Sequence, residues 1–252
     1  MNVTFIGDIH ARYDGIDQAI QTENSDVVVQ CGDFGIWPDE QKLVRISNND
    51  IPVYFCRGNH EYHDLLDTYP QFSVSNLKNS DRIIRPYLKE KRELSSRKIK
   101  KLLDTNFKFA DNIYLCDNGS ILNLNGKNIL FVGGAESTDK SFRIMGKSWW
   151  PQELLRNDEI DHILNITETI DIVVSHTPPT FVIKKMFYGI LLVNDPVAKF
   201  LEIVYEQFKP KLWFSGHLHS SAIINHEDTE FHVLDMYYSK DFPSVYTKTI
   251  EL

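Results

Sequence analysis

Five apolar segments of this sequence each end in a short polar motif rich in Asp, Asn and His. The motifs are Gly7-Asp8-Ile9-His10, Gly32-Asp33, Gly58-Asn59-His60-Glu61, Ser175-His176 and Gly216-His217-Leu218-His219. A single motif of this kind is equally well explained by a buried strand followed by a turn with an Asp cap. Five of them favour a metal site, because carboxylate and imidazole groups are common protein ligands of divalent cations.

The amino-terminal part of the chain alternates predicted strands with predicted helices. Strands are predicted at residues 3–6, 26–31 and 52–56, and short amphipathic helices at residues 13–23 and 40–47. This β-α-β-α-β order implies right-handed crossovers and a parallel sheet. Ligands of such sheets bind beyond the carboxyl ends of the strands, so the motifs at these ends are expected to lie close together.

The later part of the chain predicts further strands and two hairpins. These strands are predicted at residues 112–116, 121–124, 128–132, 170–174, 211–214, 222–225 and 230–234. Asn125-Gly126-Lys127 is typical of a hairpin turn between two of them. Trp149-Trp150-Pro151 is expected to open a helix, with Pro near its first position. No repeat or linker divides the sequence, so residues 1–252 are expected to form one domain.

Composition places the chain among ordinary globular proteins. Hydrophobic residues make up 42% and charged residues 25%, which fits one sizeable α/β domain. The formal net charge of −8 argues mildly against general binding of polyanions. No signal peptide or apolar run of membrane-spanning length is recognised, so no membrane association is expected. Cys31, Cys56 and Cys116 lie in or beside apolar runs, which fits free thiols in a reducing compartment and predicts a cytoplasmic location.

A basic segment interrupts the alternation of strands and helices. Residues 78–101 hold ten Lys and Arg against three acidic residues, a net charge of +7 that leaves about −15 for the remainder of the chain. We interpret it as part of a helical insertion at residues 76–110. It is either a solvated helix face or a lid or arm that binds an anionic substrate, such as a nucleotide or nucleic acid.

The five motifs, in this order, resemble those of the calcineurin-like metallophosphoesterases, and the resemblance runs from residue 7 to residue 219. It implies an α/β fold of two packed mixed β-sheets flanked by helices, a four-layer α/β/β/α sandwich, with two metals at the strand ends. The ligand positions of that family fall on seven residues here: Asp8, His10 and His219 for one metal, Asn59, His176 and His217 for the other, and Asp33 bridging both.

The same resemblance implies an activity. The chain is expected to hydrolyse phosphate esters, and in such enzymes a hydroxide that bridges the two metals attacks the phosphorus. His60 would lie just outside the metals, where an imidazolium could donate a proton to the leaving group or stabilise charge. Oxygen and nitrogen ligands suit two borderline divalent cations, with Mn²⁺ expected first and Fe, Zn²⁺ or Ni²⁺ as alternatives.

Four further residues are expected to contact the substrate: Arg57, Glu61, Arg143 and Trp149. A salt bridge is an equally good interpretation of Arg57. Residues 136–153 resemble a block found in a phage- and prophage-associated branch of the superfamily, in which Trp149 or Trp150 would shape the wall of the cleft. Packing in the core is the alternative for both tryptophans. The remaining histidines are interpreted as ordinary core or surface residues: His63, His162, His226 and His232.

One departure from the family pattern narrows the substrate. Protein Ser/Thr phosphatases of the superfamily carry Asp-Arg-Gly soon after the second motif, whereas this chain continues with Phe34-Gly35-Ile36-Trp37-Pro38. A phosphodiesterase or small-molecule phosphatase is therefore favoured over a protein phosphatase. A metal-binding scaffold without catalysis is a further alternative, but such a protein usually lacks a ligand or the equivalent of His60. The oligomeric state stays open.

Overall fold

The computed structural model describes residues 1–36, 50–68, 112–188, 194–241 and 244–252. The predicted helix at residues 40–47 and the predicted insertion at 76–110, with its basic segment, lie outside these ranges. Within them the chain forms eleven strands and five α-helices. No helix in the described ranges combines the length and the apolar character that a membrane crossing requires.

The first sheet contains most of the amino-terminal strands. They are β1 Asn2–Ile6, β2 Val27–Gln30, β3 Val53–Phe55, β4 Ile113–Leu115 and β11 Thr247–Glu251. The order is β11-β1-β2-β3-β4, in which β1 to β4 are parallel and β11 is antiparallel to β1. Helix α1, Asp14–Glu23, connects β1 to β2, and α2, His63–Thr68, follows β3. The predicted parallel sheet is confirmed.

The second sheet contains the remaining strands. They are β5 Ile121–Leu124, β6 Lys127–Val132, β7 Ile172–Ser175, β8 Leu212–Ser215, β9 Ala222–His226 and β10 Thr229–Val233. The order is β5-β6-β7-β8-β10-β9, with the two edge strands antiparallel to their neighbours. Both predicted hairpins are present. In the first, Asn125 and Gly126 have φ values of 48° and 82°, as a type I′ turn requires.

The two sheets pack face to face around a shared core. Phe5 of β1 and Phe214 of β8 stack with their ring centroids 3.7 Å apart, and the buried cysteines belong to the same cluster. The outer face of the first sheet is covered by α1. The outer face of the second is covered by α3 Asn157–Leu164, α4 Thr180–Met186 and α5 Pro196–Phe208. This four-layer α/β/β/α arrangement is the expected fold class.

One predicted helix is shorter than expected. Pro151 does begin a helix, but Pro151–Glu153 is a 3₁₀ helix of three residues, and Leu154 returns to an extended backbone. The next helix begins at Asn157. The Glu153 side chain at the end of the 3₁₀ helix is buried and accepts hydrogen bonds from Trp149 and Ser137.

Candidate metal centre

The polar motifs lie at the carboxyl ends of five parallel strands and meet at one edge of the sandwich. They follow β1, β2 and β3 of the first sheet and β7 and β8 of the second. Contacts between the motifs cross from sheet to sheet. The His217 N–H donates to Asp8 Oδ1 at 2.9 Å, and His176 Nε2 lies 2.9 Å from Asn59 Oδ1.

A first group of side chains surrounds the imidazoles of His10 and His219. Their Nε2 atoms lie 3.1 Å apart, and His219 Nε2 lies 3.1 Å from Asp8 Oδ2. His10 Nε2 is 3.8 Å from the same oxygen and 3.7 Å from Asp33 Oδ2. One potential ligand atom each from Asp8, His10 and His219 falls within 4.8 Å of the others, which is the spacing of a shared cation site.

A second group surrounds His176, which is fully buried. Its Nδ1 lies 2.8 Å from the Cys31 carbonyl oxygen, which can only accept, so Nδ1 carries a proton. The other ring nitrogen, Nε2, lies 3.5 Å from Asp33 Oδ1 and 2.9 Å from Asn59 Oδ1. Asp33 thus turns one carboxylate oxygen towards His176 and the other towards His10.

His217 reaches the same edge but makes different contacts. Its ring lies 4.9 Å from that of His176, centroid to centroid. Burial, with the neighbouring His176, lowers the pKa of His217 to about 3. His217 is therefore a neutral imidazole, the form that ligates metals.

Four of these side chains stand on residues with a left-handed backbone. The φ values are 43° at His10, 54° at Asp33, 68° at His217 and 45° at His219. Residues other than glycine adopt this conformation rarely, at a cost of roughly 1–3 kcal/mol each. Strain of this kind clusters at functional sites, so the fold holds these side chains where stability alone does not favour them.

The approach of β8 to β1 depends on glycine. A Cβ atom at position 216 would collide with Asp8 Oδ1. The same oxygen accepts the hydrogen bond from the His217 N–H. Gly216 therefore lets the motif after β8 come close enough to Asp8 for the two sheets to share one site.

The charges at this edge are strongly coupled. Burial opposes the charge on Asp33, but the rings of His176, His60 and His10 outweigh it and hold the pKa of Asp33 well below its ordinary value. Burial likewise opposes the charge on His176, but Asp33 and Asp8 outweigh it and raise the pKa of His176 to about 9. Asp33 is therefore ionised and draws positive charge to itself.

The donor set fits divalent cations. Within the described part of the chain, every ion pair of Asp8 and Asp33 is with a histidine, and none is with Lys or Arg. Carboxylate oxygens, imidazole nitrogens and one amide oxygen lie close together at this edge. A cation would satisfy these lone pairs and neutralise both carboxylates, which is the chemistry that Mn²⁺, Fe²⁺ or Zn²⁺ offers.

His60 lies at the edge of the centre beside an arginine. The backbone N–H of His60 donates to Asp33 Oδ1 at 2.7 Å. The His60 ring faces that of His10 edge-on, with the ring centroids 5.2 Å apart. Arg143 Nη2 lies 2.7 Å from His60 Nε2 and 3.1 Å from Nδ1, and Asp139 holds the same guanidinium at 2.7 Å. Arg143, a predicted substrate-binding residue, is thus brought to the centre by the segment that follows β6.

Two other predicted substrate-binding residues are engaged elsewhere. Arg57 is buried and pairs with Asp67 at 2.8 Å and with Asp117 at 3.6 Å. The Glu61 carboxylate is fully buried and accepts from the N–H groups of residues 34–36. Burial and the nearby Asp33 raise the pKa of Glu61 to about 8, although the hydrogen bonds from these three N–H groups favour a lower value. Substrate contact by Arg57 and Glu61 stays a prediction, and Glu61 holds the backbone that follows the candidate ligand Asp33.

The two tryptophans of this block, Trp149 and Trp150, differ in burial and in their contacts. Trp150 is buried and donates to Asp64 at 3.0 Å, which matches the core-packing alternative. Trp149 is half-buried, carries Lys140 over its ring at 4.5 Å and donates to Glu153 at 2.7 Å. Its contact with substrate remains a prediction.

Sequence reasoning missed Ser137 and Glu153. Asn59 Nδ2 donates to Ser137 Oγ at 3.0 Å, and Ser137 Oγ donates to Glu153 at 2.5 Å. Both residues lie in the block at residues 136–153 that the sequence analysis singled out. Nothing in the local sequence marks them as partners of Asn59.

A cleft of about 710 Å³ opens beside His217. Its walls include charged residues of both signs, among them Glu136, Lys140 and Asp195. Of the candidate ligands, His217 is the one that lines this cleft.

Comparison with known proteins points to one family. The family model described as calcineurin-like phosphoesterase matches residues 1–221. The chain is 24% identical over 245 residues to metallophosphoesterase domain-containing protein 1 of Homo sapiens. That match covers 90% of this chain and 63% of the human protein, so the chain spans less than two thirds of its curated relative.

Two solved structures are similar at lower identity. Phosphopantetheinyl hydrolase from Mycobacterium tuberculosis is 13% identical, with 99% of this chain and 95% of that one covered and a TM-score of 0.49. An archaeal phosphodiesterase is 12% identical, with both chains fully covered and a TM-score of 0.40. At these scores neither likeness bears on the substrate.

Proposed function

Because this chain belongs to the calcineurin-like phosphoesterase family, we propose that it is a phosphoric ester hydrolase that uses two divalent metal ions. The observation that carries the proposal is the position of Asp33. One of its oxygens lies 3.7 Å from His10 Nε2 and the other 3.5 Å from His176 Nε2, so a single carboxylate faces both groups of potential ligands.

The proposed ligands follow from these two groups. Asp8, His10 and His219 would hold one metal, Asn59, His176 and His217 the other, and Asp33 would lie between them. When bound, two such ions supply a reactive water near neutral pH and offset the negative charge of the phosphoryl group. Mn²⁺ is the proposed ion, with Fe, Zn²⁺ and Ni²⁺ as alternatives that the mixed oxygen and nitrogen ligands also suit.

The chain's own residues would orient the ester. The Arg143 guanidinium, held by Asp139, can bind two phosphate oxygens through its planar fork of N–H groups. His60 lies within hydrogen-bond distance of Arg143 and would face the leaving group, where it holds or passes a proton. The half-buried Trp149 would line the approach to the same place.

A phosphodiester or a small phosphomonoester is the favoured substrate. The chain lacks the Asp-Arg-Gly of the protein phosphatases, and Arg143 offers a positive charge from a different segment. A protein phosphatase is the alternative. A metal-binding scaffold without catalysis is disfavoured, because no ligand position is replaced and His60 is present.

The basic segment at residues 78–101 is proposed to bind an anionic substrate such as a nucleotide or nucleic acid. Changing Lys89, Lys91, Arg92 and Lys98 to Glu should raise KM for an oligonucleotide, most strongly at low salt, because fewer phosphates are neutralised. KM for a small chromogenic ester should stay the same. Unchanged kinetics on every anionic substrate would leave the segment as a solvated face.

Three finer assignments are also proposals. The block at residues 136–153 would place the chain in the phage- and prophage-associated branch of the family. The three cysteines are buried free thiols, which supports a reducing, cytoplasmic compartment. Residues 76–110 would form an insertion within a single domain.

A metal and substrate screen tests the proposed function. Chelator-treated protein should hydrolyse neither p-nitrophenyl phosphate, bis(p-nitrophenyl) phosphate nor cyclic nucleotides, and activity should return with Mn²⁺. The preferred ester then identifies the substrate class. Asp33→Asn should lose most bound metal and most activity. Full turnover by the metal-free protein, or full metal content and activity in Asp33→Asn, would contradict the proposal.

A further inference from the structure

We infer that Glu153 and Ser137 fix the orientation of the Asn59 side-chain amide, so that its carbonyl oxygen faces the candidate metal centre. Neither residue belongs to the proposed ligand set. Both act through Asn59 and are positioning residues. The inference rests on the proposed function, because it concerns a ligand of the proposed second metal.

The Glu153 carboxylate is fully buried and accepts three hydrogen bonds. Oε1 accepts from the Ser137 N–H at 3.1 Å and from the Trp149 indole at 2.7 Å, and Oε2 accepts from the Ser137 hydroxyl at 2.5 Å. Burial raises the pKa of Glu153, while the Ser137 and Trp149 donors oppose that rise. Three donors aimed at two oxygens match an ionised carboxylate, which can only accept.

Because the Ser137 hydroxyl donates to Glu153, it also decides which end of the Asn59 amide faces Ser137. A hydroxyl has one proton, and that of Ser137 is committed to Glu153, so only lone pairs are left for the Asn59 amide. The amide group 3.0 Å away must therefore be the NH₂ group. The Asn59 carbonyl oxygen then points the other way, to within 2.9 Å of His176 Nε2.

The opposite orientation would disable Asn59 as a ligand. It would turn the NH₂ group towards the centre, and an amide nitrogen has no free lone pair to offer a cation. Loss of a group that orients a metal ligand typically weakens metal binding by about 10–100-fold. Glu153 therefore has a measurable effect on metal affinity without lying among the ligands.

The backbone also fits Glu153 to this task. The Ala135 N–H donates to the Glu153 carbonyl oxygen at 3.1 Å. Gly134, with φ at 92°, lies where a side chain would collide with the same oxygen. The glycine-rich end of β6 and the turn at Pro151–Glu153 are thus locked together, and they present Ser137 to the loop that follows β3.

Glu153→Gln tests the inference because it keeps the shape of the side chain and reverses the direction of the hydrogen bond between the Ser137 hydroxyl and residue 153. The Gln carbonyl can still accept from Trp149 and the Ser137 N–H, which places its NH₂ against the Ser137 hydroxyl. That hydroxyl would then donate to Asn59, and the amide would turn. Calorimetric titration with Mn²⁺ should find one site weakened about 10–100-fold and the other nearly unchanged.

Two further variants complete the test. Ser137→Ala breaks the connection without reversing it, so the same site should weaken less. Adding Glu153→Gln to Ser137→Ala should change little more, because no hydroxyl remains to transmit the effect. The matched control is Glu159→Gln in α3, where the Glu accepts from the Arg156 N–H, and both Mn²⁺ sites should keep the wild-type affinity.

The outcomes separate the two proposals. Two sites of wild-type affinity in both Glu153→Gln and Ser137→Ala would overturn the inference and leave the proposed function intact. Fewer than two Mn²⁺ sites in the wild-type protein would overturn the proposed function and the inference together. If circular dichroism finds Glu153→Gln unfolded, Ser137→Ala decides: unchanged affinity at both sites overturns the inference, and a weakened site supports it.

Discussion

His60 and Arg143 form one donor–acceptor unit at the edge of the metal centre. A guanidinium can only donate, so the imidazole nitrogen that contacts it accepts. Burial lowers the pKa of His60, and Arg143 lowers it further against the attraction of Asp33. The Arg143 guanidinium therefore adds a positive charge beside His60 on this side of the centre.

This contact predicts a strongly non-additive pair of substitutions. His60→Ala and Arg143→Ala should each lower kcat/KM on bis(p-nitrophenyl) phosphate by roughly 10²–10⁴-fold. The double variant should be no worse than the poorer single variant, because the two residues act as a unit. Arg156→Ala, at a half-exposed arginine before α3, should leave the rate unchanged. Multiplicative losses in the double variant would mean that the residues act separately.

His63 is a buried histidine whose two ring nitrogens find no hydrogen-bond partner in the described part of the chain. Burial, with the nearby Arg57, lowers the pKa of His63 to about 3. An unfolded chain returns this histidine to its ordinary value of about 6.5. Between these values the unfolded state takes up a proton that the folded state does not, so stability falls as the pH drops from 6.5 towards 3.

His63→Leu should remove this part of the acid sensitivity. Below pH 6.5, His63 lowers the free energy of unfolding by about 1.4 kcal/mol per pH unit, and the variant should lose that slope. Urea titrations of metal-free protein between pH 7 and pH 4.5 measure it. His162→Leu, at an exposed histidine, should keep the wild-type slope. An equally steep slope in His63→Leu would contradict the assignment.

At the scale of elements, the strand ends position the metal centre and the helices cover the sheets behind them. Proposed ligands follow β1, β2, β3, β7 and β8 without a helix in between. The positions of these proposed ligands relative to one another depend on how closely the two sheets approach each other. Gly216 is the position at which that approach is tightest for Asp8.

Gly216→Ala should weaken metal binding more than it weakens the fold. The added methyl group must push Asp8 aside, so we expect a loss of about 10–100-fold in Mn²⁺ affinity by calorimetry. Gly126→Ala should have the opposite effect, a loss of stability without a loss of metal affinity. Its methyl group meets no neighbour, but φ is 82°, so it should cost about 1 kcal/mol of stability and leave Mn²⁺ affinity unchanged. Equal Mn²⁺ affinity in both variants would refute the role of Gly216.

The strand ends were predictable from sequence because each candidate ligand lies in a short polar motif that follows an apolar run. The hairpin at Asn125-Gly126 was predictable for a similar reason, since local turn chemistry decides it. The role of Glu153 was not predictable from sequence. That role depends on hydrogen bonds that join Glu153 to Ser137 and Ser137 to Asn59, and these residues are far apart in the chain. The antiparallel pairing of β11 with β1 has no local signal either.

At the scale of the whole molecule, the metal centre joins the two sheets. A cation that binds only the folded protein stabilises it by about 2.7 kcal/mol when its concentration is 100 times Kd. For a chain of this length we expect Mn²⁺ to raise Tm by roughly 5–10 °C over chelator-treated protein. Asp33→Asn should lose most of this shift in a calorimetric scan. A Tm that does not respond to Mn²⁺ in the wild-type protein would contradict the shared centre.

The pairing of β1 with β11 also sets an order of events during synthesis. Asp8 leaves the ribosome 209 residues before His217, its partner across the sheets, and the strand that closes the edge of β1 comes later still. At about 5–20 residues per second, the nascent chain spends roughly 10–40 s with the first ligands made and the last ones missing. The complete set of proposed ligands therefore exists only after residue 219 has been translated, although His10, Asp33 and His60 are made much earlier.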